Sequence, residues 1–222
     1  MALLFPDPAT ARSDGLLAAG GDLSPATLLE AYRHGIFPWY SEGSPILWWS
    51  PDPRMVLFPG ELHVSHSLRQ TLRSGRYRCT MDRAFRQVIE ACATTPRAGQ
   101  EGTWITPEMI EAYVHLHELG YAHSVETWEG EELTGGLYGI SLGRTFFGES
   151  MFHRRRDASK VALWHLDRWC VEKDFTLIDA QVPTTHLQHM GARTISRKHF
   201  LTLLAKSLEY PTLRGRWECS SS

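Results

Sequence analysis

Three β-prone runs joined by two tight turns commit the middle of this chain to an antiparallel meander. The runs cover residues 122–128, 133–142 and 145–152, and the turns are Glu129-Gly130-Glu131 and Gly143-Arg144. The third run, Phe146-Phe147-Gly148-Glu149-Ser150-Met151-Phe152, carries one carboxylate in an otherwise apolar stretch. An acid inside an apolar strand is costly unless it is paired or used. Gly148, just before it, suits the close approach of a ligand or another backbone. On these residues alone the stretch is either an edge strand with Glu149 in water or the wall of a site.

A second strand breaks the tie. In Leu177-Ile178-Asp179-Ala180-Gln181-Val182, alternation puts Asp179 and Gln181 on one face and Ile178, Ala180 and Val182 on the other. The two strands read as one amine-handling site seen from two walls, with Asp179 and Gln181 acting on one group and Glu149 on another.

The rest of the chain supplies a frame. Ser24-Pro25 and Thr106-Pro107 are each a capping hydroxyl followed by proline at the first helical position, and Gly35 and Gly120 end those helices. Asp82 is expected to cap a helix whose apolar residues Phe85, Val88, Ile89 and Cys92 recur at helical spacing. A helix is expected over His66 to Ser74, and helical spacing would put Arg69, Arg73 and Arg76 on one face. Further helices are expected over about 158–170, up to Gly191, and over about 198–209. Pro59-Gly60 marks a division between a small N-terminal domain, 1–60, and a catalytic domain, 61–222. The order of meander, helix, strand and helix resembles the acyl-CoA N-acyltransferase (GNAT-like) fold. The fold class is therefore α+β, a small N-terminal α/β domain plus a GNAT-like domain.

Composition excludes some classes of function. A net charge of −2 argues against a protein that coats nucleic acid indiscriminately, while leaving room for a local basic face. The absence of a run of about 18 apolar residues argues against a membrane span. The four cysteines, Cys79, Cys92, Cys170 and Cys219, are scattered without a CxxC pair, which suits a reducing cytoplasm better than a disulfide framework or a zinc site. Gly139-Ile140-Ser141-Leu142-Gly143 matches the GxSxG elbow but lies within a strand followed by another strand, not a helix. His115 and His117, two apart on a helix, do not converge on a metal. The basic stretch 153–160 could meet the phosphates of CoA at a helix start, yet it has no glycine to bring backbone amides close.

Seven motifs in order carry a resemblance that the single runs do not. They are Gly20-Gly21-Asp22-Leu23, Gly35-Ile36-Phe37-Pro38-Trp39, Trp48-Trp49-Ser50-Pro51-Asp52-Pro53-Arg54, Glu101-Gly102-Thr103-Trp104-Ile105-Thr106, Gly148-Glu149-Ser150-Met151-Phe152, Ala158-Ser159-Lys160 and Leu177-Ile178-Asp179-Ala180-Gln181. Together they resemble the bacterial leucyl/phenylalanyl-tRNA–protein transferases. The resemblance implies transfer of Leu or Phe, and also Met, from aminoacyl-tRNA to the N-terminal Arg or Lys of a protein, marking it for N-end-rule degradation. The aminoacyl ester is already activated, so neither cofactor nor metal is expected.

It also implies residue roles. Asp179 and Gln181 would draw a proton from the amine or orient it, and Glu149 would bind the cationic acceptor. Leu137, Phe146, Met151, Leu166, Cys170 and Ile178 would line the donor side-chain pocket. Trp39 and Trp104 would flank the terminal adenosine, and Arg69, Arg73 and Arg76 would meet the acceptor stem. Leu166 and Cys170 are smaller than the phenylalanines of the family, and His66, Gln70 and Thr184-Thr185-His186 also depart from its pattern. A cytoplasmic monomer is expected. The competing readings are a CoA-dependent N-acyltransferase and a non-catalytic module recognising basic N-termini or tRNA.

Overall fold

The computed structural model describes residues 4–95 and 103–219, so Glu101 and Gly102 of the fourth motif lie outside the described residues. Strands β1 (Leu16–Ala19), β2 (Phe37–Pro38) and β3 (Leu47–Trp49) form a small antiparallel sheet ordered β1-β3-β2, and α1 (Pro25–Arg33) lies between the first two in sequence. The chain continues through β4 (Arg54–Leu57), α2 (His66–Arg73), β5 (Arg78–Met81), α3 (Phe85–Thr94) and α4 (Pro107–Glu118). The meander follows as β6 (Ala122–Glu129), β7 (Glu132–Leu142) and β8 (Thr145–His153). Then come α5 (Ala158–Glu172), β9 (Leu177–Gln181), α6 (Thr185–His189), β10 (Arg193–Ile195) and α7 (Arg197–Ser207).

The main sheet is ordered β10-β4-β9-β8-β7-β6-β5 and is antiparallel except for the β8/β9 pair. The succession β6-β7-β8-α5-β9-α6 is the meander, helix, strand and helix expected from the sequence, whereas β4 and β10 were not expected in this sheet. The main sheet takes in β4, from the N-terminal side of Pro59-Gly60. Met55 and Leu57 face one core cluster and Val56 the other, so this strand is covered on both sides. One face of the sheet is covered by α1, α3, α4 and α7, the other by α2, α5 and the segment around Trp217.

Local signals explain most helix ends. Ser24 and Thr106 each cap as expected, their hydroxyls accepting from Thr27 N at 3.3 Å and Met109 N at 3.2 Å. Gly35 ends α1 at φ +70°, and a Cβ there would stand 2.7 Å from the Phe200 ring.

Two expectations are corrected. Asp82 does not cap α3, whose N-cap is Ala84 without a side-chain bond. At φ +54° Asp82 instead turns its buried carboxylate inward, where it accepts from Ser124 N and Trp217 N and meets His123 Nδ1 at 2.8 Å. The second concerns α2, which stops at Arg73 before Gly75 at φ +67°. Arg76 therefore lies beyond the helix, donating to Glu129 at 2.9 Å, and does not share a helical face with Arg69 and Arg73.

Candidate active site

A break in strand register places the carboxylate. From Leu142↔Thr145 the β7/β8 pairing runs regularly to Gly139↔Gly148, and the next pair is Tyr138↔Ser150. Glu149 is the extra residue, and a bulge of this kind re-aims the side chain it carries. The exchange of faces is visible in the packing, because Phe147 and Phe152 join one cluster while Phe146 and Met151 join the other. The glycine this crossing requires is Gly139 on β7, where a Cβ would lie 2.1 Å from Phe147 O. At Gly148, singled out from the sequence, a Cβ would meet Asp179 O at an ordinary 3.4 Å.

The parallel ladder between β8 and β9 ends at Phe147↔Asp179. Residues 148–153 and 178–182, with Thr184, line a cleft of about 810 Å³. Its lining includes Glu149, Asp179 and Gln181, the apolar side chains Leu137, Phe146, Met151, Leu166 and Ile178, and both Trp39 and Trp104. The structure thus brings together all but one of the residues proposed for the reaction centre and donor pocket. The exception is Cys170, which is fully buried in the core cluster and absent from the cleft lining, its thiol pKa raised by burial.

Glu149 is surrounded by neutral donors. Tyr32 Oη donates to its Oε1 at 2.7 Å, Gln181 Nε2 to the same oxygen at 2.7 Å, and Tyr113 Oη to Oε2 at 3.2 Å. The two phenol oxygens lie 2.5 Å apart. Burial raises the Glu149 pKa to about 7, outweighing the three hydrogen bonds that favour the ion, and the nearby Asp179 charge adds to the rise. Burial, and then the Glu149 charge, push both tyrosines well above their ordinary pKa.

Asp179 has a different environment. Arg54 Nε donates to Oδ1 at 2.8 Å and Arg54 Nη2 to Oδ2 at 2.6 Å, a bidentate pair with both side chains fully buried. Arg54 Nη1 donates to Gly35 O, and its guanidinium lies over the rings of Phe37 and Phe200. Asp179 Oδ1 also accepts from Gln181 N at 2.9 Å. Asp179 is therefore held by Arg54, the Gln181 side chain donates to Glu149, and the Gln181 backbone joins the two through Asp179 Oδ1. Gln181 adopts φ +61°, and its side chain stays on the side of the sheet that holds Asp179, because Tyr32 and Tyr113 around Glu149 belong to the same core cluster as Phe37 and Phe200 around Arg54.

Several other stretches resolve plainly. Arg69 and Arg73 are exposed on α2. In the basic stretch Arg155 pairs with Glu132, both Arg156 and Lys160 pair with Asp157, and Arg154 donates to Leu133 O. Ser141 is buried within β7 with its hydroxyl unbonded among the described residues, not presented on an elbow. His117 meets Ala122 O at 2.8 Å and stacks on Phe85.

Sequence reasoning gave no role to Tyr32, Tyr113 or Arg54. Tyr32 and Tyr113 sit in amphipathic helices where a ring reads as core, and nothing local points to a carboxylate more than thirty positions away. Arg54 did leave a signal, because a cation heading the apolar run Met55-Val56-Leu57 needs a partner.

Enzymes that pass an acyl group from a bulky carrier to an amine need an apolar cleft and a group that exchanges protons near neutrality. This cleft offers both. Family comparison gives the particular case. The model described as leucyl/phenylalanyl-tRNA protein transferase matches residues 56–205, and that of its N-terminal domain matches residues 21–52. The chain belongs to the leucyl/phenylalanyl-tRNA–protein transferase family. It is 63% identical over 214 residues to the transferase of that name from Anaeromyxobacter sp. (strain Fw109-5), covering 96% of this chain and 91% of the relative. It is 56% identical over 220 residues to the one from Desulfatibacillum aliphaticivorans, covering 99% and 94% respectively. Among solved structures, a GCN5-related N-acetyltransferase from Kribbella flavida aligns at 10% identity and a TM-score of 0.39, covering 78% of this chain and 61% of that one.

Proposed function

We propose that this chain moves Leu or Phe, and also Met, from aminoacyl-tRNA to the N-terminal Arg or Lys of acceptor proteins, forming a peptide bond that marks them for N-end-rule degradation. The observation that carries the reading is Glu149, a buried carboxylate raised to about 7, lining the same cleft as an apolar wall. The donor side chain occupies the pocket of Leu137, Phe146, Met151, Leu166 and Ile178. A wall of branched aliphatic, aromatic and thioether groups suits aliphatic, thioether and aromatic side chains that are not branched at Cβ. Trp39 and Trp104 flank the terminal adenosine, where stacking contributes about 1–3 kcal/mol per base.

The acceptor amine lies against Glu149 and Gln181. Its nitrogen adds to the ester carbonyl carbon, and the bond from that carbon to the ribose oxygen breaks as the amide forms. Of the two protons the ammonium loses, one passes to Glu149 and the second ends on the departing ribose hydroxyl. An N-terminal amine has a pKa of about 7.7–8.0, close to that of Glu149, which suits proton exchange between them. A cationic acceptor lowers the carboxylate pKa in turn and so favours its ionisation. Both oxygens of Asp179 are engaged by Arg54, which supports an orienting role: Asp179 holds the turn at Gln181 through the Gln181 N–H. Positioning of this kind contributes about 7–11 kcal/mol in favourable reactions.

Arg69 and Arg73 face the acceptor stem, joined by Arg76 once a phosphate displaces Glu129. The enzyme works as a monomer in the cytoplasm. Incubation with radiolabelled Leu-tRNA should move label to peptides that begin with Arg or Lys, without ATP or CoA. Equal transfer to peptides that begin with Ala or Glu, or transfer that depends on CoA, would overturn the reading.

A further inference from the structure

Away from the cleft, three side chains from distant parts of the sequence meet at the side of the sheet covered by α5. Cys79 lies on β5, His165 on α5, and Cys219 in the segment that follows α7. The two sulfurs are 3.5 Å apart, and all three potential ligand atoms lie within 4.8 Å of one another. Each residue is half-buried, and the His165 ring makes no hydrogen bond among the described residues. We propose that Cys79, Cys219 and His165 form a binding site for a thiophilic divalent cation, Zn²⁺.

The geometry and the donor set carry this. A tetrahedral zinc with Zn–S of about 2.3 Å and Zn–N of about 2.0–2.1 Å holds two sulfurs about 3.8 Å apart and each sulfur about 3.6 Å from the nitrogen. The sulfurs, 3.5 Å apart, need to part by only about 0.3 Å, and the imidazole needs a movement of no more than about 1.2 Å. Two thiolates and an imidazole select zinc over the hard cations that prefer oxygen. On binding, the two thiols release their protons, and the metal replaces the S–H···S hydrogen bond between them. A second cleft, of about 380 Å³, is lined by His165 and Cys219 and gives an entry path and room for a water as the fourth ligand. This site lies apart from the acyl-transfer residues and does not depend on their assignment.

Its effect is to fasten the segment around Trp217. That ring stacks on His123 and on Trp169 at 3.7 Å each and leans on Phe146, a residue of the donor cleft, at 5.9 Å. Zinc held by Cys219, two residues on, pins this segment to β5 and α5.

The test uses the full chain, reduced and stripped of metal by a chelator, then titrated with Co²⁺ and next with Zn²⁺. One Co²⁺ per chain should give a thiolate charge-transfer band that Zn²⁺ abolishes. Zn²⁺ should also raise the melting temperature. Cys219→Ser should lose the band and the thermal shift, and His165→Ala should weaken uptake, while each keeps the fold by circular dichroism. Transfer by the metal-free Cys219→Ser protein should match that of the metal-free parent. No band in the reduced parent, or a band that survives in the Cys79→Ser/Cys219→Ser double variant, overturns the proposal. So does a reduced chain that takes up no Zn²⁺ yet closes a Cys79–Cys219 disulfide in air.

Discussion

The ends of β8 and β9 each bury a carboxylate, and the two are treated in opposite ways. Glu149 on β8 faces two phenols and an amide with no cation in contact among the described residues, and its pKa rises to about 7. Asp179 on β9 meets a guanidinium through both oxygens. Neutral donors leave a proton equilibrium open near neutrality, whereas a bidentate guanidinium holds its partner in one geometry. Two acids in one cleft thereby become suited to different work, one to proton exchange and one to holding backbone in place.

The largest effect should come from breaking the fixed pair. Arg54→Met leaves Asp179 as an uncompensated buried charge, a change worth about 3–5 kcal/mol in comparable pairs. Denaturant unfolding should show that loss, with most of it recovered in the double variant Arg54→Met/Asp179→Asn. A loss under about 1 kcal/mol, at the level of a surface pair, would mean that Asp179 is not held as a fixed charge.

Next comes the open equilibrium. Glu149→Gln keeps the shape and removes the proton acceptor, so kcat for transfer should fall about a hundredfold or more. In the parent, kcat/KM should rise with pH and level off above about 7, and the variant should lack this limb. Stability carries the same signature. A carboxyl whose pKa is raised from 4.5 to about 7 contributes stability that is complete below the lower value and lost as pH climbs through the upper one. Relative to Glu149→Gln, the parent should therefore lose on the order of 3 kcal/mol across that window. Parallel pH–stability curves would show that Glu149 does not titrate there.

A smaller effect should follow from Tyr32→Phe, which removes one donor from Glu149. Loss of a donor to the ion should move the kinetic pKa upward and cost about 1–3 kcal/mol. An unchanged pH profile would detach Tyr32 from the network. The least change to the reaction itself should come from Arg69→Gln/Arg73→Gln. KM for aminoacyl-tRNA should rise, with the log–log salt slope flattened by roughly 0.9 for each phosphate that is no longer neutralised. An aminoacyl-adenosine analogue should bind as before, and equal weakening of both would place the arginines elsewhere than on the tRNA stem.

How much of this was legible in the sequence follows from the range of each signal. The caps at Ser24 and Thr106, the meander and α5 rest on neighbours within a few residues, so the sequence displayed them. Glu149, Asp179 and Gln181 were legible as polar groups in apolar strands, and the cleft does contain all three. Their pairing was not legible. It depends on a bulge set from across the β7/β8 ladder and on a positive φ at Gln181, and alternation arguments assume neither. Asp82 matched a cap by its type and place, yet its partners, Ser124 and Trp217, come from far along the chain. The same holds for Cys79, His165 and Cys219, whose spacing hides what folding brings together.

The placing of β4 in the main sheet has a consequence for how the protein folds. This strand lies between β9 and β10, which follow it by more than a hundred positions, whereas β6, β7 and β8 pair with their immediate successors. Contacts so distant in sequence close late, because the loop entropy is lost before any pairing rewards it. The meander can form early, but β9 has only one strand beside it until β4 arrives carrying Arg54. Until that moment Asp179 has no cation. The docking of β4 is thus a late step that also forms the buried Arg54–Asp179 pair, and a chain halted before it would retain the meander without that pair.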